Sequence, residues 1–267
     1  MTSLQLTGFL ASILIGISLG LIGGGGSILT LPVLVYLLGI NPVTSTAYSL
    51  FVVGATSLVG SVNYMRQQQV NYKAAAIFAV PSFLSVFLTR KFIVPAIPDP
   101  VFSADAFTLS KNVAVMIFFA LIMLVASYSM IRDQKAEADQ PDGPLKFNYP
   151  LIAAEGLLVG VLTGLVGAGG GFLIIPALVL LARLPMKMAV GTSLLIITAK
   201  SLIGFLGDLT TLAVDWPFLL KFTALSILGI FLGTYLARFV PGQKLKSAFG
   251  WFVLVMGVYI LGREVFL

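Results

Sequence analysis

The sequence predicts an all-α polytopic membrane protein with two inverted five-segment repeats, and three observations lead to this fold class. Hydrophobic residues make up 58% of the 267 positions and charged residues only 10%, whereas a soluble domain carries roughly 25% charged residues. Apolar stretches recur along the whole chain, and many approach the ~20 residues that a membrane-spanning helix needs. The third observation is an internal repeat marked by glycine-rich interruptions.

The repeat appears when the chain is shifted by 144 residues, the distance from Gly16 to Gly160, which aligns the two halves without a gap. Glycines and a proline coincide in this alignment: Gly16, Gly20, Gly23, Gly25, Gly26 and Pro32 fall on Gly160, Gly164, Gly167, Gly169, Gly170 and Pro176. We therefore predict a first repeat over residues 1–131, a polar cytoplasmic linker over 132–148 and a second repeat over 149–267.

Each half contains five apolar segments, which predicts about ten transmembrane or re-entrant helical segments with Gly-rich helix breaks. The segments are roughly 6–22, 28–39, 44–64, 73–89 and 111–131, then 149–166, 172–182, 187–207, 216–237 and 246–262. Because five is odd, the second half must enter the membrane from the opposite side. Segments 28–39 and 172–182 are too short for a ~30 Å hydrocarbon core, so hairpins and full crossings both stay open for them and their predecessors.

The basic residues predict the orientation, since cytoplasmic connections are enriched in lysine and arginine. With the N-terminus outside, ten basic residues lie on the inner side and four on the outer side. The inner set is Arg66, Lys73, Arg132, Lys135, Lys146, Arg183, Lys187, Arg238, Lys244 and Lys246, and the outer set is Arg90, Lys91, Lys111 and Arg263. We expect a multi-pass protein of the cell inner membrane with both termini periplasmic.

Composition also excludes several function classes. The chain has no cysteine and no histidine, which removes disulfides, thiolate or imidazole metal sites and histidine-based catalytic triads. No cofactor and no metal are expected. The net charge of +6 is spread over short connections rather than gathered in one patch, so we expect the lipid bilayer and not nucleic acid as the partner.

The glycine runs at 23–26 and 167–171 interrupt otherwise apolar helices. Unpaired backbone at membrane depth survives only where it faces protein or a water-filled cavity, and discontinuous helices of transporters aim their N-termini at a substrate. We expect new helices to begin near Ser27 and Gly171, with N–H groups that favour an anion. The predicted binding residues of these breaks are Gly24, Gly25, Gly26, Ser27, Gly169, Gly170 and Gly171. For Gly16, Gly20, Gly160 and Gly164, close helix packing is the preferred interpretation.

Polar residues inside the apolar segments complete the predicted site. Lys200 has apolar neighbours on both sides, and an intramembrane charge often marks a substrate path, although a structural or snorkelling lysine is the alternative. Tyr48, Ser49, Thr192 and Ser193 begin the third segment of each repeat and could either donate hydrogen bonds to an oxyanion or cap helices.

Two acidic residues near segment ends receive separate predictions. Glu155 is a candidate for carrying a coupling proton, with an interfacial ion pair as the alternative. Asp208 follows Gly207 at a segment end and is predicted to be a solvated loop residue.

The paired motifs Gly16-Ile-Ser-Leu-Gly-Leu-Ile-Gly-Gly-Gly-Gly-Ser and Gly160-Val-Leu-Thr-Gly-Leu-Val-Gly-Ala-Gly-Gly-Gly resemble those of the sulfite exporter TauE/SafE family of membrane permeases. Ala189-Val-Gly-Thr-Ser fits the same pattern, whereas its first-half counterpart Ser45-Thr-Ala-Tyr-Ser departs from it. The resemblance implies a secondary transporter, not an enzyme, for sulfur-containing anions such as sulfite, sulfoacetate or other organosulfonates, often acting in export.

The mechanism expected from the repeat and the resemblance is alternating access around a midplane anion site. Another small anion, uptake instead of export, channel kinetics, a membrane-embedded enzyme and a structural or signalling protein are the alternatives. Proton, sodium and membrane-potential coupling and the oligomeric state all stay open.

Overall fold

A computed structural model describes residues 3–104, 107–132, 149–166, 171–181, 184–209 and 212–266. These ranges are mainly helical, with one short hairpin. The first half contains α1 (Ser3–Ile22), α2 (Gly25–Pro32), α3 (Pro42–Arg66), α4 (Tyr72–Leu88), α5 (Val94–Ala96), β1 (Phe102–Ala104), β2 (Phe107–Leu109) and α6 (Lys111–Arg132). The second half contains α7 (Tyr149–Val166), α8 (Gly171–Pro176), α9 (Met186–Asp208), α10 (Trp216–Leu236) and α11 (Gly242–Phe266).

Among the described helices, three run on into a five-residue π-helical turn. These turns are Val33–Leu37 after α2, Thr89–Ile93 after α4 and Ala177–Leu181 after α8. The turns after α2 and α8 follow Pro32 and Pro176. Proline has no backbone N–H, so each of these residues removes one hydrogen bond of a regular α-helix. Such π-helical turns are frequent at functional sites, and the one after α4 carries a buried arginine described below.

The described helices form a multi-pass membrane protein. Six of them are long and apolar enough to cross a bilayer, and three shorter apolar helices accompany them. The six spans are Pro42–Arg66, Tyr72–Ala96, Lys111–Tyr128, Met186–Asp208, Trp216–Leu236 and Ser247–Val265, and the shorter helices are Thr7–Ile22, Gly26–Leu37 and Pro150–Leu165. Large apolar side chains such as Val125 and Leu14 are exposed on the outer surface, as lipid contact requires.

The observed boundaries agree closely with the predicted segments, with two differences. The first new helix begins at Gly25 and not near Ser27, because Gly24 is already right-handed helical (φ −70°, ψ −13°) and accepts the backbone N–H of Ser27. The stretch between the predicted segments 73–89 and 111–131 contains α5 and the β1–β2 hairpin, in which Phe102 pairs with Leu109.

Capping explains why α3, α4 and α10 start where they do. Asn41, Asn71 and Asp215 each place a side-chain oxygen on a backbone N–H of the first helical turn. Such caps satisfy donors that have no partner within the helix, and Pro42 adds a first-turn residue that needs no N–H. Asn71 and Asp215 are partners in the 144-residue alignment, so the two halves begin these helices in the same way.

The halves also pack against each other in a reciprocal manner. Helix α1 lies along α10, and its counterpart α7 lies along α4, the counterpart of α10. A methyl group added at Gly16 would overlap the backbone of Ser226, and one added at Gly160 would overlap Ser82, the residue aligned with Ser226. This confirms the packing role predicted for these glycines. Inversion of the repeats across the membrane stays a prediction.

Helices α3 and α9 form the centre of the bundle. They contact each other directly, and Gly54 of α3 lies against Leu202 of α9. Both helices carry many buried polar side chains, including Ser49 and Thr56 on α3 and Lys200 on α9. The candidate site is built around this central pair.

Candidate functional site

The first glycine run makes a sharp break between α1 and α2. Gly23 has φ +74°, a left-handed conformation that residues with a side chain rarely adopt, and its N–H donates to Leu19 O at 2.8 Å to end α1. Ser27 is fully buried, and its hydroxyl donates to Gly24 O at 2.6 Å. Ser27 is one of the predicted binding residues, and its hydroxyl holds the break itself.

The second break lies against the first. A methyl group at Gly171, the first residue of α8, would overlap both the Cα atom of Gly24 and the side chain of Ile197. Gly25 begins α2, and a methyl at Gly26 would overlap Leu19 of α1. The starts of α2 and α8 thus meet beside α9. Gly169 and Gly170 lie outside the described residues.

Lys200 is buried one turn along α9 from Ile197, with only 1% of its surface exposed. Its Nζ donates to the Thr163 hydroxyl on α7 at 3.1 Å. Within the described ranges, no carboxylate forms an ion pair with Lys200. Burial of an ammonium without a counter-ion is costly, and an anion beside Lys200 would offset that cost.

Tyr48 and Thr192, which are partners in the alignment, form hydrogen bonds between the two halves of the chain. The Tyr48 hydroxyl accepts the backbone N–H of Asp215 at 2.8 Å, and the Thr192 hydroxyl accepts that of Asn71 at 2.9 Å. Each side chain of one half therefore binds the residue that caps a helix of the other half. Both hydroxyls act as acceptors in these contacts, and their donation to an oxyanion stays a prediction.

Ser49 and Ser193, also partners in the alignment, differ in their hydrogen bonding. The Ser193 hydroxyl donates to Val190 O at 2.8 Å and lies against Gly23. The Ser49 hydroxyl is fully buried and has no hydrogen-bond partner among the described residues. Other buried hydroxyls on the central helices share this condition, namely Thr56, Ser57 and Ser201.

Glu155 lies in α7, two turns before the Thr163 that binds Lys200. Its Oε1 atom is buried, and it has no hydrogen-bond partner in the part of the chain that the structure describes. An interfacial ion pair, the alternative considered for this residue, is absent among those residues.

A buried ion pair at the end of α9 overturns one prediction. Asp208 is only 7% exposed, and its Oδ2 lies 3.6 Å from Nη1 of Arg90, so it is not a solvated loop residue. Arg90 is itself 3% exposed because the π-helical turn after α4 extends the helix to Ile93. Its Nη1 also donates to the Thr46 hydroxyl at 2.9 Å. Sequence reasoning placed Arg90 among the charges of an outer connection.

A cavity of about 230 Å³ opens elsewhere in the bundle. It is lined by Tyr64, Gln67, Gln69, Lys187, Thr234, Ala237 and Arg238. The Tyr64 hydroxyl donates to Gly20 O at 2.9 Å, three residues before the first glycine run. Two of the described lining side chains are basic and none is acidic, which makes this lining positive.

An apolar exterior, helices broken by glycine and buried cations between them define a multi-pass helical membrane protein with a polar interior. The chain belongs to the sulfite exporter TauE/SafE family, whose sequence profile matches residues 8–260. It is therefore a membrane transporter of a family that moves small anions.

Curated relatives share nearly the whole length of the chain. A "Probable membrane transporter protein" of Xylella fastidiosa (strain 9a5c) is 31% identical over 256 residues, covering 94% of this chain and 92% of the relative. The "Probable membrane transporter protein YdhB" of Bacillus subtilis (strain 168) is 28% identical and covers 94% and 98%. Its "Probable membrane transporter protein YunE" is 26% identical and covers 92% and 93%. No solved structure matches the chain.

Proposed function

We propose that this protein is a secondary transporter, acting as an exporter, of sulfur-containing anions such as sulfite, sulfoacetate or other organosulfonates. The observation that carries the proposal is Lys200, whose buried ammonium bonds to Thr163 and has no carboxylate partner within the described residues. An oxyanion would supply the missing counter-charge. The family description names sulfite export, which supports this class of anion.

The substrate site is proposed to lie where α2 and α8 begin, beside Lys200. Gly24 and Gly171 touch there, and helix N-termini present unpaired N–H groups with a positive dipole. The unpaired hydroxyl of Ser49 on α3 adds a donor from the facing half. The proposed site also includes further residues of the two glycine runs and a serine that contacts the first run. These residues are Gly25, Gly26, Gly169, Gly170 and Ser193.

Transport is proposed to proceed by alternating access between two inverted repeats. The reciprocal packing of α1 with α10 and of α7 with α4 supports two structurally related halves, the arrangement on which many alternating-access carriers are built. The predicted excess of basic residues on the inner side supports periplasmic termini.

Flux into and out of proteoliposomes tests the proposal. We expect saturable flux of labelled sulfite or sulfoacetate, with counterflow that a passive channel lacks. Lys200→Met should lower apparent affinity roughly 10- to 100-fold, since a hydrogen bond to a charged group contributes about 1.5–3 kcal/mol. Absence of saturable flux for sulfite, sulfoacetate and taurine would refute the proposal, and faster flux of a carboxylate would reassign the substrate.

Lys221→Met is the matched control for the Lys200 variant. Lys221 also lies within an apolar span, in α10, but its side chain is exposed at the surface of the bundle. Removal of this charge should leave apparent affinity unchanged. Equal effects of the two variants would show that Lys200 acts through stability or topology rather than through substrate binding.

Glu155 is proposed as the carrier of a coupling proton. Its partly buried carboxylate lies on α7, the helix that also presents Thr163 to Lys200. In Glu155→Gln, stimulation of flux by an imposed pH gradient should disappear while counterflow persists. Retained stimulation in the variant would remove Glu155 from coupling.

A further inference from the structure

We propose that Arg90 is a second oxyanion-binding residue of the transport path, and that its Nε–Nη2 edge holds the substrate. This inference rests on the proposed function and adds a second position to the same path, at the end of α9 that carries Asp208. It starts from the hydrogen bonds that the guanidinium makes and from those that it leaves unmade.

Among the described residues, only one nitrogen of the Arg90 guanidinium has a hydrogen-bond partner. Nη1 donates to the Thr46 hydroxyl at 2.9 Å and lies 3.6 Å from Asp208. Nε and Nη2 are buried without a hydrogen-bond partner among the described residues. These two atoms form one edge of the planar group, the edge that can hold two oxygens of one carboxylate, phosphate or sulfonate. Thr46 and Asp208 thus hold Nη1 in place, and the Nε–Nη2 edge is left without a hydrogen bond.

Arg90 and Lys200 are connected through the same end of α7. Lys200 donates to Thr163, and the next residue, Gly164, packs against Thr89, the neighbour of Arg90. Gly164 is three residues before the second glycine run. The two buried cations therefore approach the helix end that leads into this break.

The charge balance favours an anion at this place. In the described part of the chain, the buried charges of this region are two cations, Lys200 and Arg90, and one carboxylate, Asp208. A bound monoanion would neutralise the remaining positive charge. Asp208 acts as a positioning residue, because its carboxylate lies on the Nη1 side and Nε and Nη2 stay without a hydrogen-bond partner among the described residues.

A purely structural ion pair is the competing explanation, and a neutral double variant separates the two. Arg90→Gln with Asp208→Asn removes both charges, so neither partner is left as an uncompensated buried ion. If the pair is only structural, this double variant should fold and transport like the wild type. If Arg90 binds the anion, the variant should fold normally and still lose affinity at least about tenfold.

Arg90→Lys provides a second, conservative test. Lysine keeps the positive charge beside Asp208 but cannot make the two parallel hydrogen bonds of the fork. We expect the thermal midpoint to stay near that of the wild type and KM for sulfite and sulfoacetate to rise at least about tenfold. Arg66→Lys, at an exposed arginine that ends α3, is the matched control and should leave KM unchanged.

Two readouts keep this inference distinct from the proposed function: flux in proteoliposomes, and the rise in thermal midpoint that sodium sulfite or sulfoacetate gives the purified protein. If the anion stabilises the wild type but not the double variant, the Arg90 site is supported. If flux is absent at the same time, only the proposed transport function is overturned. Wild-type affinity in both the double variant and Arg90→Lys overturns the Arg90 site and leaves transport standing. If the wild type shows no flux and no stabilisation by either anion, both proposals are overturned.

Discussion

The cavity and the buried ion pair occupy corresponding places in the two halves of the molecule. In the 144-residue alignment, Tyr64 and Thr234 of the cavity fall on Asp208 and Arg90 of the ion pair. The two places lie on corresponding helices, yet Tyr64 and Thr234 line an open cavity, whereas Asp208 and Arg90 form a buried ion pair. A few side chains therefore decide which of two corresponding places is open, while the helices stay the same.

The largest effect is expected when the ion pair is broken from one side. Asp208→Leu leaves the Arg90 guanidinium buried beside an apolar group, which should lower the free energy of unfolding by about 3–5 kcal/mol. Unfolding in mixed micelles measures this change. Combining Asp208→Leu with Arg90→Met should recover most of the loss, and a double variant as unstable as the single one would contradict this account.

Corresponding glycines at the two places should differ in their tolerance of alanine. A methyl at Gly20 would lie 2.6 Å from the backbone N of Thr234, whereas one at Gly164 would meet the side chain of Thr89 at 2.8 Å. Side chains can rotate away more easily than backbone, so Gly20→Ala should cost about 1–3 kcal/mol and Gly164→Ala less. Gly262→Ala, with open space around it, is the control. Equal costs at Gly20 and Gly164 would contradict the packing argument.

Access by a membrane-impermeant thiol reagent should distinguish the open place from the filled one. The chain has no cysteine, so single-cysteine variants need no background removal. Gln69→Cys in the cavity should react at least about tenfold faster than Thr46→Cys beside the ion pair, which requires local opening. Comparable rates would show that both places are open in the membrane. Faster labelling from the cytoplasmic side would support the predicted orientation.

The smallest effect is expected at Tyr64. Its hydroxyl donates to Gly20 O, so Tyr64→Phe removes one hydrogen bond and should cost about 0.5–1.5 kcal/mol. The cavity should remain, because the ring is retained. Thermal unfolding checks the cost in stability, and the labelling rate of Gln69→Cys checks the cavity. A loss as large as that of Asp208→Leu would contradict the contrast between a hydrogen bond and a buried ion pair.

The helices and their breaks were predictable because their signals are local. Proline and glycine mark the ends of α2 and α8, and the asparagine and aspartate caps mark the starts of α4 and α10. Lys200 was also predictable as a buried charge, since no acidic residue lies near it in the sequence. These inferences need only the neighbours of each residue.

The ion pair was not predictable from the same signals. Arg90 and Asp208 belong to different halves, and each stands at a helix end beside loop-forming residues. Their partners in the alignment, Thr234 and Tyr64, are uncharged, so the repeat gives no second pair to reveal the first. The roles of Tyr48 and Thr192 likewise depend on contacts across the halves that spacing alone does not show.

Equilibrium binding of sulfite and sulfoacetate to the purified protein tests the central claim most directly, because it isolates the buried site from flux and coupling. The account predicts saturable binding to the wild type and to Lys221→Met, and at least about tenfold weaker binding to Lys200→Met. Equal affinity of Lys200→Met and the wild type would contradict the claim that the buried ammonium binds the transported anion.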